Sequence, residues 1–185
     1  MATIKAKSSK KAKAKPAKQT SKPSKISTSG LEAGDKVPAF TAATSVGTQP
    51  GPEFSSEAML GKKWVLYFYP KDNTPGCTIQ ANQFNDLIGE YQKLGYEVYG
   101  VSRDSVKSHC GFSEKFGLKF PLIADEDEKI CQIFGVIKEK NMYGKMVLGV
   151  ERSTFVIDDS GVVTKALRKV TAEGHALELL NTLKA

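Results

Sequence analysis

A cysteine stands directly after a run of turn-forming residues. Residues 69–78 read YPKDNTPGCT, and the prolines and glycine of this run end a strand and open a helix, so that Cys77 falls in the first helical turn. First-turn backbone N–H groups lack intrahelical partners and, with the helix dipole, stabilise an anion. The position therefore favours the nucleophilic thiolate form of Cys77, and the same N–H groups can hydrogen-bond a substrate oxygen.

Thr74 lies three residues before Cys77 and carries a hydroxyl that can donate a hydrogen bond to a bound oxygen or accept one from it. A structural interpretation fits the position equally well, with a buried Cys77 beside a Thr74 that only caps the helix. Position alone therefore leaves both interpretations open.

The remaining cysteines and histidines show no metal-site spacing. We expect Cys131 to pack in the core, His109 to lie on the surface, and His175 to have no partner. Two histidines without a CxxC pair argue against a zinc site, and there is no glycine-rich phosphate loop or dinucleotide fingerprint. We therefore expect no metal and no cofactor.

The elements that position these residues alternate between strands and helices. Predicted strands cover residues 63–69, 96–102, 120–123, 152–157 and 162–167, and predicted helices cover residues 76–94, 105–116, 125 or 127 to 134, and 175–184. The order is βαβαβα followed by ββα, with the last two strands forming a hairpin. This order predicts an α/β protein with a mixed central sheet, helices on both faces, and a thioredoxin-like fold.

The charge is divided unevenly along the chain. The 27 basic and 20 acidic residues sum to +7, but residues 1–25 hold nine lysines and no acid, which leaves 18 basic against 20 acidic residues beyond them. Residues 1–29 are therefore predicted to be a disordered Lys/Ala/Ser/Pro-rich tail, and residues 30–185 one domain. The tail either contacts polyanions such as DNA, without sequence preference because it has no aromatic residue, or is simply solvated.

Three scattered cysteines argue against a secreted, disulfide-stapled scaffold. The N-terminus lacks the apolar stretch of about 7–15 residues that a signal peptide needs, and the apolar run 64–69 is far shorter than the ~20 residues of a membrane span. We expect a soluble, cytoplasmic and monomeric protein.

Several motifs resemble one family. The pattern Pro70-xxx-Thr74-xx-Cys77 resembles the signature of the peroxiredoxins, and TPGCT at 74–78 resembles their bacterioferritin-comigratory, or peroxiredoxin Q, branch. LIADED at 122–127, GK at 144–145 and ERSTFVID at 151–158 also resemble that branch, in the expected order. The resemblance covers about residues 31–185.

The resemblance implies a thiol-dependent peroxidase that reduces hydrogen peroxide and organic hydroperoxides. It implies that the Cys77 thiolate attacks the peroxide and becomes a sulfenic acid. It further implies that Thr74 hydrogen-bonds the peroxide, that Pro70 shields the sulfur from solvent, and that Arg152 supplies a permanent positive charge. From the residues alone, Arg152 is more typical of a solvated charge at a strand edge.

The identity of the resolving thiol stays open. Many members of the branch carry it five residues after the peroxidatic cysteine, which is Asn82 here, and others carry it on the next helix near position 113, which is Ser113. Cys110 lies on that helix about one turn early, about 140° from the face marked by Phe112 and Phe116, which predicts partial exposure. Cys110 is thus a candidate resolving cysteine, and the alternative is a one-cysteine enzyme that uses an external thiol.

Recycling by thioredoxin or a similar dithiol is what the resemblance implies. A thiol–disulfide oxidoreductase of the same fold would need a CxxC pair, but position 80 is Gln80. A DNA-associated protein acting through its tail is the alternative from another functional class, and the near-neutral body argues against it as the main function.

Overall fold

The computed structural model describes residues 30–142 and 144–185. The tail predicted for residues 1–29 lies outside the described residues, so its disorder stays a prediction. In the described ranges, no helix is long and apolar enough to cross a membrane.

Strands and helices alternate as the sequence predicts. The strands are β1 (Thr41–Val46), β2 (Gln49–Pro50), β3 (Phe54–Ser55), β4 (Lys63–Phe68), β5 (Tyr96–Ser102), β6 (Leu122–Ala124), β7 (Ile137–Met142), β8 (Lys145–Val150), β9 (Ser153–Ile157) and β10 (Val163–Leu167). The helices are α1 (Pro75–Lys93), α2 (Val106–Phe116), α3 (Lys129–Ile133) and α4 (His175–Lys184), with a short 3-10 helix at Glu57–Met59.

The central sheet is mixed and has eight strands in the order β10-β9-β4-β5-β6-β1-β2, with β3 paired to β1. Parallel pairs join β4 to β5 and β5 to β6, whereas β9 runs antiparallel to β4. Val65 and Tyr67 face a core layer formed with α1, α2 and α4, and Trp64 and Leu66 face a second layer that includes α3. Because β4 is buried on both faces, its sequence is a continuous apolar run. The predicted fold class, with helices on both faces, is confirmed.

Helix boundaries follow local capping chemistry. Ser105 caps α2, since its hydroxyl accepts a hydrogen bond from the Ser108 N–H at 3.3 Å. Gly117 ends α2 with a left-handed φ of 62°. The start of α3 lies later than predicted. The Asp125 carboxylate caps the helix from outside, because it accepts hydrogen bonds from the N–H groups of residues 130 and 131 at 3.0 and 2.7 Å. Glu128 has a left-handed φ of 61° and therefore lies outside the helix.

Two regions form strands that the sequence analysis did not predict. The short strands β1, β2 and β3 complete the sheet edge beyond β6, where β1 pairs antiparallel with β6. Strands β7 and β8 form a separate two-stranded sheet between α3 and β9. The predicted strand at 120–123 begins instead at Leu122, because Pro121 has no N–H to donate.

Candidate active site

Cys77 lies in the first turn of α1, close to the end of the central strand β4. Its side chain is 2% exposed, and the preceding Thr74 is extended (φ −87°, ψ 151°) before the helix begins at Pro75. The first helical hydrogen bond runs from the Thr78 N–H to the Thr74 carbonyl at 2.9 Å. The sulfur therefore sits at the positive end of a 19-residue helix, where a negative charge is stabilised.

Arg152 reaches the sulfur from the neighbouring strand. It directly precedes β9, which pairs with β4 so that Ser153 lies opposite Phe68. Its Nη2 donates to the Cys77 Sγ at 3.4 Å, and its Nη1 donates to the Gln80 Oε1 at 2.7 Å. Sheet pairing thus places a permanent cation on a thiol that is 75 residues away in the chain.

A glycine leaves room for this contact. A Cβ placed on Gly76 would lie 3.3 Å from the Arg152 Nη2 and 3.7 Å from the Ala172 Cβ. Any larger side chain at position 76 would therefore crowd the guanidinium as it approaches the sulfur.

Thr74 and Pro70 flank the loop that leads into α1. The Thr74 hydroxyl donates to the Lys71 carbonyl at 2.9 Å and makes no capping bond to a helix N–H. The capping role considered for Thr74 is therefore wrong. Pro70 is half-buried and follows Tyr69, whose N–H still bonds to the Val101 carbonyl at 3.1 Å.

All three cysteines are free thiols, in different surroundings. Cys110 is half-buried on α2, which confirms the partial exposure predicted from helical geometry. Cys131 is fully buried, and burial together with the Asp125 carboxylate raises the pKa of its thiol far above the ordinary value. Cys131 is therefore an inert core residue, as predicted.

Both histidines differ from the predictions. His109, expected on the surface, is fully buried, and its Nδ1 lies 2.9 Å from the Asp72 Oδ2. His109 shares the core face of α2 with Phe112, which follows three residues later. Its partner Asp72 lies in the loop before α1, which is distant in the sequence. His175, expected to have no partner, bonds through Nε2 to the Thr154 hydroxyl at 2.9 Å.

Burial shifts the pKa of three titratable groups in this part of the fold. Burial raises the pKa of both Tyr67 and Tyr69 well above the ordinary value. Burial, followed by the charge of Arg152, lowers the pKa of His175 to about 4, so this ring is neutral near pH 7. Within 30–142 and 144–185, no cluster of three or more His, Cys, Asp or Glu side chains is placed to hold a metal ion.

Gln80 is the site residue that the sequence analysis missed. Position 80 was considered as the second cysteine of a CxxC pair, yet its fully buried amide oxygen accepts the bond that orients Arg152. The spacing of three residues from Cys77 on one helix was the available signal, because residues at i and i+3 share a face.

The sequence matches one known family. The profile of the AhpC/TSA family matches residues 33–166. Peroxiredoxin Bcp of Xanthomonas campestris is 51% identical over 150 residues, covering 81% of this chain and 94% of that protein. Peroxiredoxin Bcp of Escherichia coli is 38% identical over 154 residues, covering 83% of this chain and 96% of that protein.

Solved structures give the same result. Xanthomonas campestris peroxiredoxin Q superposes with a TM-score of 0.73 at 50% identity, over 78% of this chain and 89% of that one. A mutant of Xylella fastidiosa PrxQ superposes with a TM-score of 0.78 at 41% identity, over 84% of this chain and 97% of that one. The family profile spans β4, α1 and β9, which carry Cys77 and Arg152 or directly adjoin them.

Proposed function

Because this chain belongs to the AhpC/TSA family and is a thiol-dependent peroxidase of the peroxiredoxin type, we propose that Cys77 is the thiol that attacks the hydroperoxide. The observation that carries the proposal is the contact of 3.4 Å between the Arg152 guanidinium and the Cys77 Sγ, at the N-terminus of α1. Both features stabilise a thiolate, which is the reacting form.

The chemical step transfers one oxygen atom to sulfur. The Cys77 thiolate attacks the terminal peroxide oxygen, the O–O bond breaks, and the departing oxygen takes a proton to leave as water or an alcohol. Cys77 is oxidised to the sulfenic acid, while the peroxide is reduced. Arg152 stabilises the negative charge as it moves from sulfur to the departing oxygen.

Thr74 and Pro70 support this step. The Thr74 hydroxyl already donates to the Lys71 carbonyl, so its lone pairs remain to accept the O–H of an incoming hydroperoxide. That bond would hold the peroxide in line with the sulfur. Pro70 offers an apolar ring at the start of the loop, where it limits the access of water to the sulfenic acid.

The second half of the cycle removes the sulfenic acid. The Cys110 thiol attacks the Cys77 sulfur, a disulfide forms, and the sulfenic oxygen leaves as water. Thioredoxin or a similar dithiol then reduces the disulfide. The half-buried state of Cys110 supports this role, because a resolving thiol must be able to reach another sulfur. The alternative is reduction of the sulfenic acid by an external thiol.

Consumption of hydroperoxide by cysteine variants tests the proposal. Cys77→Ser should abolish consumption with any reductant, whereas the matched control Cys131→Ser should leave it unchanged. Cys110→Ser should lose turnover with thioredoxin and retain one rapid oxidation of Cys77. Undiminished consumption by Cys77→Ser would overturn the assignment of the attacking thiol.

A second role, contact with polyanions, is favoured by one observation. Residues 1–25 carry nine lysines and no acidic residue, ahead of a body that is close to neutral. Such a segment binds DNA or RNA by releasing counterions, so its affinity falls as salt rises. We propose that it tethers the peroxidase weakly to polyanions, an effect that a binding titration with duplex DNA at low and high salt would detect.

A further inference from the structure

A buried aspartate–histidine pair, Asp72 and His109, joins the loop before Cys77 to α2. Asp72 is 5% exposed and His109 is fully buried, and the His109 Nδ1 lies 2.9 Å from the Asp72 Oδ2. The chemical steps above use neither residue. Burying a carboxylate is unfavourable unless it is paired and hydrogen-bonded, so the buried Asp72 carboxylate requires an explanation.

Every polar atom of the pair is occupied. The two oxygens of the Asp72 carboxylate also accept the Tyr69 and Ser108 hydroxyls, each at 2.7 Å. Burial raises the pKa of Asp72, but the hydrogen bond and charge of His109 and the two hydroxyls outweigh it, so the pKa lies below its ordinary value. The His109 Nε2 faces the Ile123 carbonyl at 3.2 Å. A carbonyl can only accept, so the His109 Nε2 donates to it.

The pair joins the two segments that carry the reacting sulfurs. Asp72 lies in the loop just before Cys77, and its N–H is also held, by the Asp104 carboxylate at 2.9 Å. His109 lies on α2 immediately before Cys110, so one residue of the helix points into the core while the next is half-buried. The buried Asp72–His109 contact thus connects the loop before Cys77 to the helix that carries Cys110.

We propose that the Asp72–His109 pair is a latch that controls how often these two segments open, and thereby how fast oxidised Cys77 is resolved. The inference rests on the proposed function. Disulfide formation needs Cα atoms roughly 4.4–6.8 Å apart, whereas here Cys77 is buried against Arg152 in a formed helical turn. The closed latch preserves the geometry for peroxide attack, and the open latch permits the disulfide.

The latch also decides the fate of the sulfenic acid. While it is closed, the Cys77 sulfenate can attack a second hydroperoxide, accept its oxygen to become a sulfinic acid, and release water or an alcohol. When it opens, Cys110 takes the sulfur and releases water. The positioning residues Asp72 and His109 therefore set the ratio of over-oxidation to disulfide formation.

Quenched-flow mass spectrometry of Asp72→Asn and His109→Gln tests the latch. Both variants should form the Cys77 sulfenic acid within about twofold of the unsubstituted rate, form the Cys77–Cys110 disulfide at least tenfold faster, and accumulate less sulfinic acid. The control Asn85→Ala removes two bonds between α1 and the end of α2, to the Gly117 carbonyl and the Lys119 N–H, and should change neither rate. Disulfide formation at the unsubstituted rate would overturn the latch and leave the peroxidase role intact.

Other outcomes are equally decisive. If Cys77 is oxidised but no disulfide forms in any protein, both the resolving role and the latch are wrong. If the variants do not fold, amide hydrogen exchange of the unsubstituted protein tests the latch instead. The N–H groups of Asp72, Thr78 and His109, bonded to residues 104, 74 and 105, should then open together. Persistent protection of the His109 N–H while the Thr78 N–H exchanges would overturn the latch.

Discussion

The guanidinium beside Cys77 is held by two hydrogen bonds. Arg152 donates to the sulfur from one nitrogen and to the buried Gln80 oxygen from the other, so its position is fixed before any substrate arrives. A preorganised charge of this kind needs no rearrangement during the reaction, which is why it stabilises a transition state more than mobile water does. Gln80 therefore contributes by orienting Arg152.

Removal of the guanidinium should slow the oxidation of Cys77. We expect Arg152→Met to lower the second-order rate constant with hydrogen peroxide about 10²–10³-fold, as loss of a transition-state donor does. Arg152→Lys keeps the charge but lacks the planar guanidinium fork that reaches the sulfur and the Gln80 oxygen from two nitrogens, and we expect a loss of about tenfold. Stopped-flow or competition kinetics would measure both constants.

Arg103→Met is the matched control for these variants, because Arg103 is also half-buried but pairs with Glu128, at 2.8 Å, instead of with Cys77 or Gln80. Its rate constant should equal that of the unsubstituted protein. Equal rates for Arg152→Met would remove the guanidinium from the mechanism.

His175 should make stability depend on pH. Its pKa is lowered to about 4 in the native state by burial and by Arg152, against about 6.5 in the unfolded chain. The unfolded chain therefore binds a proton that the native protein does not, and stability falls as the pH drops from about 6.5 to about 4. Between pH 7 and pH 5 this contribution is about 2 kcal/mol.

Urea unfolding of His175→Gln at both pH values isolates this contribution, since glutamine can still bond to Thr154 and does not titrate. On acidification, the free energy of unfolding should fall by about 2 kcal/mol less in the variant than in the unsubstituted protein. An identical loss in both proteins would contradict the buried, neutral histidine.

Individual site residues were predictable to the degree that their signals are local. The placement of Cys77 follows from a turn and a helix start, and the burial of Cys131 follows from helical spacing. His109 was misplaced because its partner Asp72 lies 37 residues earlier, and no local pattern reports that pairing. Gln80 was missed because its importance depends on Arg152, which sheet pairing brings to it.

At the scale of elements, α3 is short and depends on one carboxylate. Asp125 is buried, and its carboxylate accepts hydrogen bonds from two backbone N–H groups at the start of α3. Asp125→Ala leaves both donors without a partner, so the free energy of unfolding should fall by about 1–3 kcal/mol. The control Asp127→Ala removes an exposed carboxylate that pairs with Lys129, and should change stability by less than about 0.5 kcal/mol.

Chemical denaturation of the two variants would measure this difference. Similar losses for Asp125→Ala and Asp127→Ala would contradict a capping role for the buried carboxylate.

The elements that were predicted have strong periodicity or a continuous apolar run. The bounds of β5 and α4 agree with the sequence analysis, α1 differs by one residue at each end, and α2 differs by one residue at its start. Strands β2 and β3 have two residues each, too few to show an alternating pattern. Strand β8 exposes Met146 and Leu148, so it lacks the buried face that would have marked it as a strand.

At the scale of the whole molecule, charge and catalysis are separated along the chain. Deletion of residues 1–25 removes nine lysines and no site residue, so peroxidase activity should be unchanged. Affinity for duplex DNA at low salt should fall at least about tenfold, because fewer counterions are released.

A full-length control with those nine lysines replaced by glutamine separates charge from length and should behave like the deletion. Fluorescence anisotropy would measure the affinity. Unchanged DNA binding after deletion would contradict a role for the tail.

The most direct test of the central claim is non-reducing peptide mass spectrometry after one equivalent of hydrogen peroxide is added to the reduced protein. We expect a Cys77–Cys110 crosslink with the loss of two hydrogens. Gain of oxygen at Cys77 alone would keep Cys77 as the attacking thiol and assign its reduction to an external thiol. An unmodified Cys77 would mean that Cys77 is not the thiol that attacks hydroperoxides.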